Sequence, residues 1–164
     1  MFGKVEISLR TFSLLKDLPV YEPTGRIIGH VSDLCIDVQG AVAGLLMDGK
    51  GIFQRDRFVP ISSISSFGCD GVIVNGNLEL KPIPKDDAHF LYSHHGLYRK
   101  PILTSEGEKL GLLEDVYFQE ELGTIIGYEV TDGFFADITE GKRVVKTNEP
   151  ITVGEDVIFV NVKP

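Results

Sequence analysis

His89, His94 and His95 follow closely on Asp86 and Asp87. Three imidazoles beside two carboxylates are the ligand types that hold a transition metal. Their spacing, however, is not that of a helical zinc signature, in which two histidines flank a glutamate on one face. Asp86, His89, His94 and His95 therefore stand as an alternative metal cluster, with exposed connector histidines as the plainer account. His30 stands alone and calls for no chemistry. Asp33 and Asp115 are the next pair. General acid–base work would need the two carboxylates to converge in one cleft; beside a bend, a carboxylate more readily accepts backbone N–H groups. Ser62, Ser63, Ser65 and Ser66 cluster, but no Gly-x-Ser-x-Gly elbow surrounds them. Gly68-Cys69-Asp70-Gly71 lacks the Lys-Ser/Thr of a phosphate cradle and reads as a turn. Arg55-Asp56-Arg57-Phe58 is a basic–aromatic patch, expected to be a solvated hairpin, with an RNA or protein contact as its alternative. No catalytic residue and no cofactor is expected.

What positions Asp33 and Asp115 is a duplication. Pro19, Gly25, Gly29 and Asp33 recur as Pro101, Gly107, Gly111 and Asp115, each at an offset of 82 residues. Ala43-Gly44 then meets Ile126-Gly127, one residue further on. Late in each half, Gly71-Val72-Ile73-Val74 answers Asp156-Val157-Ile158-Phe159-Val160. At the offset of 82, His94 and His95 fall opposite Phe12 and Ser13, the lead-in to the first copy.

Each copy reads as short strands between turns. Thr24-Gly25 and Glu106-Gly107 sit at hairpin turns, where glycine tolerates positive φ. Leu34, Ile36 and Val38 alternate with Cys35 and Asp37, and Val116 and Phe118 alternate with Tyr117 and Gln119. A period of two is that of a half-buried strand. Gln39-Gly40 and Leu122-Gly123 turn the chain into further strands, which Asp48-Gly49 and Asp132-Gly133 close. Val59-Pro60-Ile61, Val144-Val145 and the Val/Ile/Phe runs at 72–74 and 157–160 complete the set. Gly29 and Gly111 inside strand patterns mark a bulge or a barrel corner. Five or six short, bent strands per copy curl into a small barrel, which removes sheet edges. Helix is limited to one turn at 11–16 and an attempt at 84–97.

The chain has 164 residues and a formal charge of −8, 43% of it hydrophobic. This composition is that of a soluble globular protein and excludes disordered, collagen-like and disulfide-scaffold classes. Residues 1–82 carry eight basic and nine acidic groups, whereas 83–164 carry eight and fifteen. Acidity concentrated in the second copy argues against binding a phosphate backbone, so no direct DNA binding is expected. It suits a solvated face or one complementary to a basic partner. The apolar stretch Ala41–Met47 is far too short to span a membrane. No signal peptide is read at the start. Two cysteines without metal spacing fit a reducing, cytoplasmic setting.

The Pro-Val/Ile start, the Gly turn, the Leu/Ile-Gly step, Asp33/Asp115, the following hairpin and Val59-Pro60-Ile61-Ser62-Ser63-Ile64 resemble the PRC-barrel family. That family is named for the cytoplasmic domain of the photosynthetic reaction-centre H subunit, and a ribosome maturation factor carries a related domain. The resemblance covers nearly the whole chain as two copies; Val145-Lys146 in place of Pro60-Ile61 is its departure. It implies an all-β protein of two tandem small β-barrels: 1–80, a connector at 81–92, and 93–164. It further implies a non-enzymatic adaptor or scaffold for a protein partner, with a homo-oligomer left open. The alternatives are a metal-dependent enzyme on the His/Asp cluster and a ribosome-assembly accessory factor.

Overall fold

The computed structural model describes residues 9–48, 56–84, 86–121, 123–131, 143–147 and 149–161. Among them strands dominate and no α-helix occurs. A lead-in strand β1 (Leu9–Thr11) and a one-turn 3₁₀ helix (Phe12–Leu14) precede the first barrel. That barrel is β2 (Pro19–Tyr21), β3 (Ile27–Asp37), β4 (Val42–Asp48), β5 (Arg57–Pro60), β6 (Ile64–Phe67) and β7 (Val72–Val74). A second lead-in, β8 (Ala88–Phe90), opens the next copy. It continues as β9 (Pro101–Thr104), β10 (Lys109–Gln119), β11 (Ile125–Thr131), β12 (Arg143–Lys146), β13 (Thr152–Val153) and β14 (Ile158–Val160). The sheet orders are β5-β4-β3-β2-β7-β6 and β12-β11-β10-β9-β14-β13. In each, one parallel pair, β2/β7 or β9/β14, brings the last strands back beside the first. The Asp48-Gly49 and Asp132-Gly133 turns lie outside the described residues in whole or part.

The long strands β3 and β10 bend at matching places. Pairing with the next strand slips between Val31 and Asp33 and between Leu113 and Asp115. It slips again between Cys35 and Ile36 and between Tyr117 and Phe118. Such bulges increase twist and let a short sheet curl. Gly29 and Gly111 lie beside further slips against β2 and β9. A Cβ at Gly29 would overlap the Asp48 carbonyl oxygen, and one at Gly111 would lie 2.7 Å from that of Thr131. Close approach by the neighbouring strand is thus why glycine stands at both corners. Interior side chains of both copies, from Val31, Leu34 and Leu45 to Leu113, Val116 and Val130, form one continuous apolar cluster. Phe67 and Phe118 meet edge to face across the copies at 5.7 Å.

The lead-ins are exchanged. β1 pairs with β10 of the second copy (Arg10 opposite Phe118), and β8 pairs with β3 of the first (His89 opposite Ile36). Ile36 and Phe118 are repeat equivalents, so the two crossings are related by a pseudo-twofold. The stretch 84–97, whose length admits a helix, instead forms β8 and turns, because the strand finds a ladder on β3. The offset of 82 does not extend to the lead-ins either. Arg10 and His89 occupy equivalent registers, as do the buried Phe12 and Leu91 and then Leu15 and Leu97. Only two residues separate Phe12 from Leu15, but five separate Leu91 from Leu97. His94 and His95 therefore sit in a three-residue insertion rather than opposite Phe12 and Ser13, both with positive φ (53° and 57°).

The outer faces of the two copies differ. On the first, Cys35, Leu46, Phe58 and Phe90 form a buried patch, with Ile83 and Ala88 packed on it. On the second, the matching positions carry Tyr117, Glu129 and Val144, and the Tyr117 hydroxyl donates to Glu129 at 3.2 Å. The connector thus covers an apolar face on one side, while polar groups serve the other.

Candidate functional site

Asp33 and Asp115 stand just after the bulges of β3 and β10, and both are buried. A carboxylate removed from water must be met by donors. Asp33 Oδ1 accepts the backbone N–H groups of Leu34 (2.8 Å), Leu91 (3.1 Å) and Tyr92 (3.0 Å). Its Oδ2 accepts the backbone N–H (2.8 Å) and hydroxyl (2.6 Å) of Ser93. Asp115 Oδ1 accepts from Val116 (2.8 Å) and from Ser13 of the first lead-in (3.1 Å). Each carboxylate therefore grips the main chain that the other copy's lead-in supplies. The two lie in one neighbourhood: the Phe12 and Tyr92 rings are 5.9 Å apart. Burial first, and then the Asp115 charge with smaller contributions from its neighbours, push the Tyr92 phenol up to about 12. With their oxygens turned to backbone donors, these aspartates are not placed as an open acid–base pair. Arg10 adds a tie from β1, donating to the Gly68 carbonyl at 2.6 Å and pairing with Glu120 at 3.2 Å.

The remaining candidates scatter. Gly25 and Gly107 occupy equivalent turns with φ of 88° and 87°. His89, His94 and His95 line one shallow cavity with Ile83, Pro84 and Phe90. Among the described residues, however, no three His, Cys, Asp or Glu side chains come together as a metal-holding group, and Asp86 does not line that cavity. The His94 ring packs on Phe90 at 5.1 Å, and burial lowers the His89 pKa. Asp86, His89, His94 and His95 thus do not form a metal-holding group among the described residues: the histidines share a cavity without converging, and Asp86 does not line it. His30 is exposed on β3. Ser65 donates to the Ile73 carbonyl and Ser62 accepts from Asn75, so these two serines serve the β6–β7 hairpin. Gly68 and Gly71 close a turn by a 2.8 Å backbone bond, leaving Cys69 exposed. Cys35 is buried, and burial and the nearby Asp33 push its thiol up to about 12. Of the basic–aromatic patch, Arg55 lies outside the described residues and Phe58 belongs to the covered outer face.

Two matching barrels, a bent long strand in each and an aspartate after each bend agree with comparison against known proteins. The family model of the PRC-barrel domain matches twice, at residues 9–81 and 91–164. The chain belongs to the PRC-barrel domain family. It is also 32% identical over 161 residues to a Bacillus subtilis (strain 168) protein named "Uncharacterized protein YrrD", covering 96% of this chain and 90% of that one. No helix among the described residues is long and apolar enough to cross a membrane.

The two PRC barrels meet again at their β3–β4 and β10–β11 turns. Ala41 bridges to Thr124, and the Val42 N–H donates to the Gly123 carbonyl at 2.7 Å. Beside this contact lies an open cleft of about 680 Å³, with both barrels in its wall. Ala41, Ile125, Ile126, Tyr128 and Pro150 give it apolar walls, while Gln39, Lys146 and Glu149 stand at its edge. Tyr128 is only 1% exposed, and burial raises its pKa. The Glu149 carboxylate accepts from Asn161 at 2.6 Å. Sequence reasoning missed this cleft, since its residues carry no recognisable spacing.

Proposed function

We propose that the protein is a non-enzymatic adaptor of the cytoplasm, in which two PRC barrels present their surfaces to a protein partner. The observation that carries this reading is the use of Asp33 and Asp115. The two carboxylates repeated in both copies are taken up by backbone donors that hold the copies together. Exchange of lead-ins makes the tandem a single presenting surface rather than two beads on a string. In this reading the chain divides at 1–80, 81–92 and 93–164, with 81–92 acting as both connector and cover for the first barrel's outer face. The acidic second copy favours a partner with basic groups near the contact, through longer-range attraction.

Affinity capture from native cells, with the tag moved from chain to partner in a second round, tests the proposal. The adaptor reading expects one protein recovered in stoichiometric amount by both routes. Recovery of no stoichiometric protein, or of ribosomal particles as a whole, goes against it. The latter would restore the ribosome-assembly alternative.

A further inference from the structure

Between the β2–β3 hairpin and the chain that leaves β7, the first barrel holds an open cavity of about 690 Å³. One wall, residues 75–80, is tied at both ends. Asn75 donates to the Ser63 and Ser62 carbonyls at 2.8 and 3.0 Å, and Lys81 exchanges backbone bonds with Phe58 at 3.3 Å. A Cβ at Gly76 would lie 3.8 Å from Pro23, so this wall closes against the hairpin. The floor is apolar: Ile28, the almost wholly buried Met47, and Leu78, which packs on the barrel core, with the half-exposed Leu80 beside them. Arg26 and Arg57 line the same cavity. Both are exposed, and neither guanidinium has a hydrogen bond or ion pair among the described residues. Glu22 also lines the cavity, and its carboxylate accepts from the Thr24 hydroxyl at 3.4 Å.

The second copy uses the same positions differently. Arg57 lies opposite Met47 and Arg143 opposite Val130, so the two arginines are repeat equivalents. Arg143 donates to the carbonyl of Leu110, the counterpart of Ile28. Arg26 is replaced by Glu108 within an otherwise matching turn: the Glu22 N–H donates to the Arg26 carbonyl at 2.9 Å, and that of Thr104 to the Glu108 carbonyl at 2.8 Å. The second copy therefore spends its arginine on the main chain and sets a carboxylate at the other position. The first sets two guanidiniums over an apolar floor. Like charges on one cavity gain from an anion that both can bind, because charge-assisted hydrogen bonds then replace repulsion. We propose that this cavity binds a small amphiphilic carboxylate, its head held by Arg26 and Arg57 and its aliphatic chain lying on Ile28, Met47, Leu78 and Leu80. The volume falls in the range of small-molecule sites. Exposed ion pairs contribute little by themselves, so the buried chain supplies most of the affinity and the arginines select the charge. The inference goes beyond the adaptor reading and does not depend on it.

The test is an amide NMR titration of the full chain with octanoate, kept below its micelle-forming concentration. Saturable shifts are expected at the amides of Arg26, Met47 and Leu78, with a Kd of about 1 mM or tighter. Lengthening the probe from hexanoate to octanoate should tighten binding by about two- to fourfold per methylene. Octylammonium, which carries the same chain and the opposite charge, should not saturate these amides. Arg26→Gln and Arg57→Gln should each weaken octanoate by about threefold, and the double variant by about tenfold. Should the double variant fail to fold, Arg26→Glu, the residue that the second copy carries, takes its place and should abolish saturation. Absence of saturable shifts, shifts that map elsewhere, equal binding of octylammonium, or undiminished binding by the double variant or by Arg26→Glu overturns the proposal. So does perturbation of these amides by anionic phospholipid vesicles but not by monomeric octanoate, which would assign the arginines to a membrane surface.

Discussion

Replacing Asp33 by alanine should weaken the fold far more than the same change at Asp115, although the repeat makes them equivalents. Asp33 accepts five hydrogen bonds, four of them from Leu91, Tyr92 and Ser93 of the other copy's lead-in. Asp115 accepts two, one of which crosses between copies. A hydrogen bond to a charged group contributes about 1.5–3 kcal/mol net, and each buried N–H left without a partner costs about 1–3 kcal/mol. These contributions overlap, because several donors share one oxygen. A loss of about 4 kcal/mol for Asp33→Ala and about 2 kcal/mol for Asp115→Ala follows, near the upper end for single substitutions. For a chain of this size, about 2–4 °C accompanies each kcal/mol. Thermal midpoints should fall by about 8–16 °C and about 4–8 °C respectively. Urea unfolding followed by far-ultraviolet circular dichroism supplies the free energies, and Ser93→Ala should recover about 1–2 kcal/mol of the Asp33 effect. Equal losses for the two aspartates, or losses below about 1 kcal/mol for both, would refute the reasoning that these carboxylates clamp the exchanged strands.

Other expectations are open to simple measurements. Gly29→Ala should destabilise by about 3 kcal/mol or more, because its methyl group would overlap the Asp48 carbonyl. Gly107→Ala, at φ 87° but in open space, should lose only about 1 kcal/mol, and urea midpoints will separate the two. In the native protein Cys69 should react quickly with a thiol reagent and Cys35 only upon unfolding, since its thiol is buried and raised to about 12. The groups Cys35 and Tyr92 ionise in the unfolded chain near 9 and 10 but resist ionisation when folded. The unfolded state thus loses protons first, so stability should fall as pH rises from about 9 to 12. A Cys35→Ala, Tyr92→Phe double variant should reduce that alkaline slope, leaving the share that the raised Tyr128 and Tyr117 contribute; an unchanged slope would assign it to other groups.

The barrels were readable from residue pattern because their determinants are local. Val/Ile/Phe alternation and glycine turns act within a few residues, and bulge corners repeat with Gly29 and Gly111. The crossing of the lead-ins was not. β1 and β8 are three-residue strands, too short for a period of two to register. The insertion between Leu91 and Leu97 also breaks the offset that aligns Pro101 through Asp115 with Pro19 through Asp33. For the aspartates, the preference for backbone donors could be inferred from the adjacent bend, but the donors that cross between copies come from 58 to 102 residues away. The histidines share one cavity, but their side chains do not converge as a metal-holding group among the described residues, and Asp86 does not line it; spacing along the chain does not encode that orientation. The cleft sets Gln39, Gly40 and Ala41 of one barrel beside Thr124, Ile125 and Ile126 of the other, a juxtaposition that no local spacing encodes.

Backbone nuclear Overhauser effects across the two crossings test the exchange most directly. Cross-strand contacts between Arg10 and Phe118 and between His89 and Ile36 are predicted in the monomeric chain. Lead-in strands that instead show contacts only to their own copy, or to a second molecule, would contradict the account.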